Sequence, residues 1–131
     1  MIIDTSALIA ILHGESERTE FERVIGSART RRLTAMAYLE TSIVLLRRGS
    51  IAIKELDEFV KEGEIAVVDF TERLAKLARY AYARYGRSFH HAGLNFGDCA
   101  SYALAIDLNE PLLYKGEDFS HTDVISALPP R

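Results

Sequence analysis

Four short apolar runs, each closed by a polar or turn-forming residue, punctuate the chain at residues 1–3, around Leu33, at 65–68 and at 111–114. Their length is that of β-strands. Between them, apolar side chains recur three and four apart over residues 5–12, 16–25, 35–48, 51–62, 71–85 and 98–108. This spacing predicts helices that each bury one face. Strands that alternate with helical connections imply a mainly parallel sheet, because a parallel partner is reached only through a crossover. The expected class is therefore α/β, an α/β/α sandwich around a central sheet. Gly26, Gly49, Gly63 and Gly86 follow helical segments, where a left-handed C-terminal residue is expected. The stretch 86–95, with Arg87, Ser88, His90, His91 and Gly93, has neither period and reads as a loop.

Composition narrows the class. With 131 residues, 48% hydrophobic and 27% charged, the sequence matches one compact domain spanning 1–131 and excludes a disordered or fibrous chain. A net charge of −3 gives no overall attraction for nucleic acid, so a phosphate-bearing substrate would have to be held locally by cations. Cys99 is the only cysteine, which excludes an intramolecular disulfide and a Cys-rich zinc site. It also fits a reducing compartment, the cytoplasm. The start Met1-Ile2-Ile3-Asp4 has no basic leader, so no secretion signal is expected. No apolar run approaches the ~20 residues needed for a membrane span.

The candidate chemistry lies in the carboxylates. Ligands bind beyond the carboxyl ends of strands in open parallel sheets. Asp4 follows the first apolar run and precedes Thr5 and Ser6; it is a helix cap or a site residue. Glu40 interrupts a nearly uncharged helical segment, with Met36, Ala37, Ile43 and Val44 as its neighbours. A charge there needs a cation, an ion pair with Arg47 or Arg48, or a place at the edge of the stripe that reaches solvent. Asp98 opens the last long helix after Gly97, which would let the backbone turn. A fourth acid is expected after residues 111–114, where Asp118 is chosen over Glu117 and Asp123. Carboxylates gathered at one sheet edge repel one another unless a divalent cation neutralises them, and an all-oxygen set without cysteine suits Mg²⁺ or Mn²⁺.

At this point the sequence resembles the PIN-domain endoribonucleases, and among them the VapC toxins of type II toxin–antitoxin pairs. The residues that carry the resemblance are Met1-Ile2-Ile3-Asp4-Thr5-Ser6-Ala7-Leu8, Glu40, Leu94-Asn95-Phe96-Gly97-Asp98-Cys99 with Tyr102-Ala103-Leu104-Ala105, and Leu112-Leu113-Tyr114-Lys115-Gly116-Glu117-Asp118-Phe119. They run in order along essentially the whole chain. The resemblance implies a PIN-like sandwich and a Mg²⁺- or Mn²⁺-dependent ribonuclease. Asp4, Glu40 and Asp98 would be its metal-binding acids, Asp118 the fourth, and Ser6 or Thr5 would supply a hydroxyl near the metal. It further implies products with a 5′-phosphate and a 3′-hydroxyl, a homodimer, and a VapB-type antitoxin that blocks the site. A groove along residues 7–12 and 21–25 is the expected antitoxin surface.

Other residues have weaker claims. His90 and His91 read as RNA contacts or plain surface, since adjacent loop histidines tend to point apart. Arg87, Arg84 and the group Arg29, Arg31 and Arg32 could hold phosphates. Tyr80, Tyr82 and Tyr85 could stack on bases, although core or dimer packing is the stronger reading. Two rival classes exist. A nuclease-dead RNA- or protein-binding module of the same fold would have lost acids that are all present here. A phosphotransfer domain of the haloacid-dehalogenase pattern would need a second aspartate where Ser6 stands.

Overall fold

The computed structural model describes residues 1–129. The elements in chain order are β1 (Ile2–Ile3), α1 (Thr5–Leu12), α2 (Arg18–Ser27), β2 (Arg32–Thr34), α3 (Ala35–Leu46), α4 (Ser50–Glu62), β3 (Ala66–Val68), α5 (Glu72–Tyr85), α6 (Phe96–Leu108), β4 (Leu112–Leu113) and a 3₁₀ turn over Asp118–His121. The four strands form one sheet in the order β3-β2-β1-β4, and every pairing is parallel. No helix among the described residues is long and apolar enough to cross a membrane.

The strands are short, yet their alternation decides the layers. Successive side chains of a strand point to opposite faces. Ile3, Leu33 and Leu113 accordingly pack with α1, α2 and α3 residues on one face, while Ile2 and Leu112 pack with α5 and α6 on the other. The result is the expected α/β/α sandwich. The far edge of the sheet is fixed by charge: the Met1 ammonium donates to Glu110 Oε2 at 2.6 Å and to the Thr30 carbonyl at 3.0 Å, and Arg32 also pairs with Glu110. The opposite, carboxyl edge of the strands is left for the site.

Two expectations are corrected here. Of the four glycines expected to be left-handed, only Gly49 has positive φ, at 94°. Gly26 lies inside α2, and Gly86 is extended; a Cβ there would lie 2.3 Å from the Tyr82 carbonyl oxygen, so close approach rather than a left-handed turn calls for glycine. The helix end at Leu108 is instead turned by Asn109, at φ 51°. The groove expected along residues 7–12 and 21–25 is narrower than expected: of these residues, Ile11, Leu12 and Glu22 line an open cavity of about 290 Å³ shared with α4. Ala7, Leu8, Ala10, Ile11, Phe21, Val24 and Ile25 are buried in the core, because the apolar faces of α1 and α2 pack there.

Candidate active site

At the carboxyl edge of the sheet, Asp4, Glu40, Asp98 and Asp118 line one cavity of about 300 Å³, together with Thr5, Ser6 and Asn95. The four acids come from four places in the chain. Asp4 ends β1 and caps α1, Glu40 lies in α3, Asp98 is in the first turn of α6, and Asp118 begins the 3₁₀ turn after β4.

Asp4 is 2% exposed. Its Oδ2 accepts from the Ser6 amide at 3.0 Å and from the Ser6 hydroxyl at 2.7 Å, while its buried Oδ1 has no hydrogen-bond partner. The cap reading and the site reading are thus both met, one oxygen to each. Ser6 Oγ also accepts from the Lys115 amide at 3.0 Å, tying the segment after β4 to the start of α1. Thr5 turns its hydroxyl toward the Ala37 carbonyl of α3, at 3.4 Å. Of the two hydroxyls, Ser6 is the one bound to the carboxylate.

Glu40 forms no ion pair with Arg47 or Arg48 among the described residues. Its carboxylate rests against Gly97 so closely that a Cβ at that glycine would lie 2.3 Å from Oε2 and 2.6 Å from Oε1. Gly97 is helical, in the first turn of α6, so it serves to admit this carboxylate, and the expectation that it turns the backbone is corrected.

Asp98 does not open its helix. Asn95 is the cap of α6, and the two form a capping box: Asp98 N–H donates to Asn95 Oδ1 at 2.9 Å, and Asn95 N–H donates to Asp98 Oδ2 at 3.0 Å. Burial pushes the Asp98 carboxyl up to about 7, the Asn95 amide opposes the shift, and the Asp4, Asp118 and Glu40 charges add to it. Burial also raises the neighbouring Cys99 thiol to about 11, which keeps it protonated at neutral pH.

The alternatives for the fourth acid point elsewhere. Glu117 accepts from the Ser120 hydroxyl, and Asp123 accepts from Tyr102 Oη at 2.7 Å and pairs with Arg84. Among the described residues, no three His, Cys, Asp or Glu side chains are gathered closely enough to hold a metal ion between them. The residues nevertheless fit a hard cation: all donors are oxygen, one buried Asp4 oxygen is unsatisfied, and Mg²⁺ keeps several waters while taking only one or two carboxylates directly.

The predicted substrate contacts lie outside this cavity. His90 and His91 stack at 4.2 Å and 28°, correcting the expectation that they point apart, and His91 meets His121 at 4.9 Å. The His90 Nδ1 accepts from the Ala92 amide. Arg31 donates to the Gly63 and Gly26 carbonyls, which gives it a structural task. Tyr85 is buried and Tyr80 exposed. Arg87 lines a second, apolar groove of about 620 Å³ that shares Asn95 with the acidic cavity and also takes in Tyr82 and Phe96. No period or motif in the sequence pointed to this groove.

Comparison with known proteins identifies the family and the fold. Residues 1–125 match the PIN domain family. The chain is 55% identical over 130 residues to Ribonuclease VapC28 of Mycobacterium tuberculosis, covering 98% of both proteins. Two solved structures share the fold: the sarcin–ricin loop cleaving toxin VapC20 of Mycobacterium tuberculosis, with a TM-score of 0.78, 20% identity and 98% of each chain covered, and a toxin–antitoxin complex from Klebsiella pneumoniae, with a TM-score of 0.71, 15% identity and 97% of each chain covered.

Proposed function

The chain belongs to the PIN domain family, and from that premise we propose that it is the toxin of a toxin–antitoxin pair, a ribonuclease that hydrolyses RNA phosphodiester bonds at the Asp4, Glu40, Asp98 and Asp118 cavity. The observation that carries the reading is the convergence of these acids on one cavity with a buried Asp4 oxygen left unsatisfied. The naming of a 55% identical relative as a ribonuclease supports it.

Each side chain has a separate task. Asp4, oriented by Ser6 through Oδ2, offers Oδ1 to a divalent cation. Asp98, fixed by its capping box with Asn95, offers its second oxygen, and Asp118 approaches from the 3₁₀ turn. Glu40, in no ion pair among the described residues, either completes the cation's shell or orients the attacking water by accepting its proton at the carboxylate seated on Gly97. A Mg²⁺ or Mn²⁺ bound here would offset the repulsion between carboxylates and phosphate, acidify a water for in-line attack and steady the leaving oxygen. No nucleophilic side chain is required.

The same reading includes two protein partners. A protein antitoxin would block the cavity, and a basic side chain entering it would be electrostatically favoured. A homodimer is supported by α3, whose Leu39, Ile43 and Leu46 stand four and three apart and remain exposed. The single, buried Cys99 fits action in the cytoplasm. The nuclease-dead alternative is disfavoured because all four acids are present and share the cavity.

The reading is tested with purified protein and a panel of ribosomal, transfer and synthetic RNAs in Mg²⁺, Mn²⁺ or EDTA, beside Asp98→Asn. Cleavage should need the metal and fall by a factor of at least 100 in the variant. Cleavage that persists in EDTA and in the variant would overturn it.

A further inference from the structure

The apolar groove beside the carboxylates has the makings of a ligand seat. At about 620 Å³ it falls within the ~300–1,000 Å³ typical of ligand pockets. Its walls on α5 include the small residues Ala75 and Ala78, which leave a slot, and its aromatic surfaces include Tyr82 and Phe96. Phe96 is 78% exposed although it is the first residue of α6. Tyr82 is held edge-on by Phe89, at 5.9 Å and 87°, so its ring is positioned before any ligand arrives.

Charge and position say what the slot takes. Arg79 and Arg87 line the groove and are exposed. Neither joins an ion pair among the described residues. In a chain of net charge −3, two unpaired guanidinium groups flanking an aromatic slot match a phosphate-linked aromatic ligand. Asn95 borders both this groove and the acidic cavity, and the first turn of α6 sends Phe96 to one and Asp98 to the other. A strand with its reacting phosphate among the carboxylates therefore has the slot within reach of a flanking nucleotide.

Resting on the ribonuclease reading, we propose that this groove seats an unstacked base of the RNA next to the cleaved phosphate, the base lying against Tyr82 and Phe96 while Arg79 and Arg87 hold the adjoining phosphates. Base stacking on aromatic side chains and guanidinium contact with the backbone are how single strands are held without sequence readout.

The test uses the full chain in EDTA, where binding is separated from cleavage. The probes are a fluorescein-labelled pool of random-sequence 20-nucleotide RNA and a matching oligomer with abasic spacers. Ala75→Leu fills the slot at an exposed helical position, so folding should survive, and Arg79→Gln removes one cation. Ala75→Leu should weaken the random RNA at least 10-fold and leave the abasic oligomer unchanged, whereas Arg79→Gln should weaken both and flatten the salt dependence. Equal RNA binding by wild type and Ala75→Leu would overturn the proposal, as would an equal loss on the abasic oligomer. So would a change of oligomeric state on sedimentation of Ala75→Leu, since a second copy would then be the occupant. Wild-type protein that cleaves RNA with Mg²⁺ while Ala75→Leu binds normally sinks the base seat alone. Wild-type protein that neither binds nor cleaves RNA sinks the ribonuclease reading and the seat together.

Discussion

The carboxylate of Glu40 occupies the space into which any side chain at Gly97 would project, so the α3 acid and the α6 backbone meet without a Cβ between them. Gly97→Ala separates site geometry from stability. The position is helical, where alanine is favoured over glycine by up to about 1 kcal/mol, and Glu40 can swing aside. The variant should melt no lower than wild type yet cleave at least 10-fold more slowly, as read by thermal denaturation and RNA turnover together. A variant that is both folded and fully active would show that Glu40's placement does not matter.

Asp98 gives a pH signature. Its carboxyl stands at about 7, raised from an ordinary 3.8 mainly by burial. A carboxyl raised on folding contributes stability while protonated and loses it as pH rises through the range from about 4 to 7. In EDTA, Asp98→Asn should therefore gain melting temperature over wild type at pH 8 and gain little at pH 4. With metal present, proton competition should weaken cation binding as pH falls below about 7, which calorimetric titration at pH 6 and 8 would measure.

Ser6 links Asp4 to the Lys115 amide. Ser6→Ala removes both hydrogen bonds, each worth about 1 kcal/mol, and leaves the Asp4 carboxylate less fixed. Activity should drop by about tenfold, a loss of about 1.4 kcal/mol in transition-state binding. Thr5→Ala should lose less, because that hydroxyl faces a carbonyl 3.4 Å away. Parallel kinetics on the two variants would check the ranking.

The three acids after β4 should separate cleanly. Asp118→Asn should reduce cleavage at least 10-fold without changing the melting temperature, since Asp118 is exposed at the cavity. Glu117→Gln should leave cleavage intact. Asp123→Asn should lower stability by about 1–3 kcal/mol, through weakened bonds to Tyr102 and Arg84, while cleavage at low temperature is retained.

Much of this site was legible in the sequence because parallel sheets force it. A run such as Met1-Ile2-Ile3 ended by Asp4 places an acid at the carboxyl edge wherever the strand lies, and a charge at Glu40 inside an apolar helical segment needs a local reason. Pairwise fits between distant elements were not legible. Gly97 carries no sign that its missing side chain serves Glu40, and Asn95 as the cap of α6 became visible only through its reciprocal bonds with Asp98. The stacking of His90 on His91 depends on a loop path that no periodicity encodes. The α1–α2 groove was legible only in part, because amphipathic spacing says that a face is covered, not whether the cover belongs to the same molecule.

Whether Asp4, Glu40, Asp98 and Asp118 gather a divalent cation can be read from crystals of the protein soaked in Mn²⁺, through the anomalous signal of the metal. A peak is expected in the acidic cavity within coordination distance of Asp4 Oδ1, lost in crystals of Asp4→Asn. A cavity without a peak at saturating Mn²⁺, or a peak indifferent to Asp4→Asn, would contradict it.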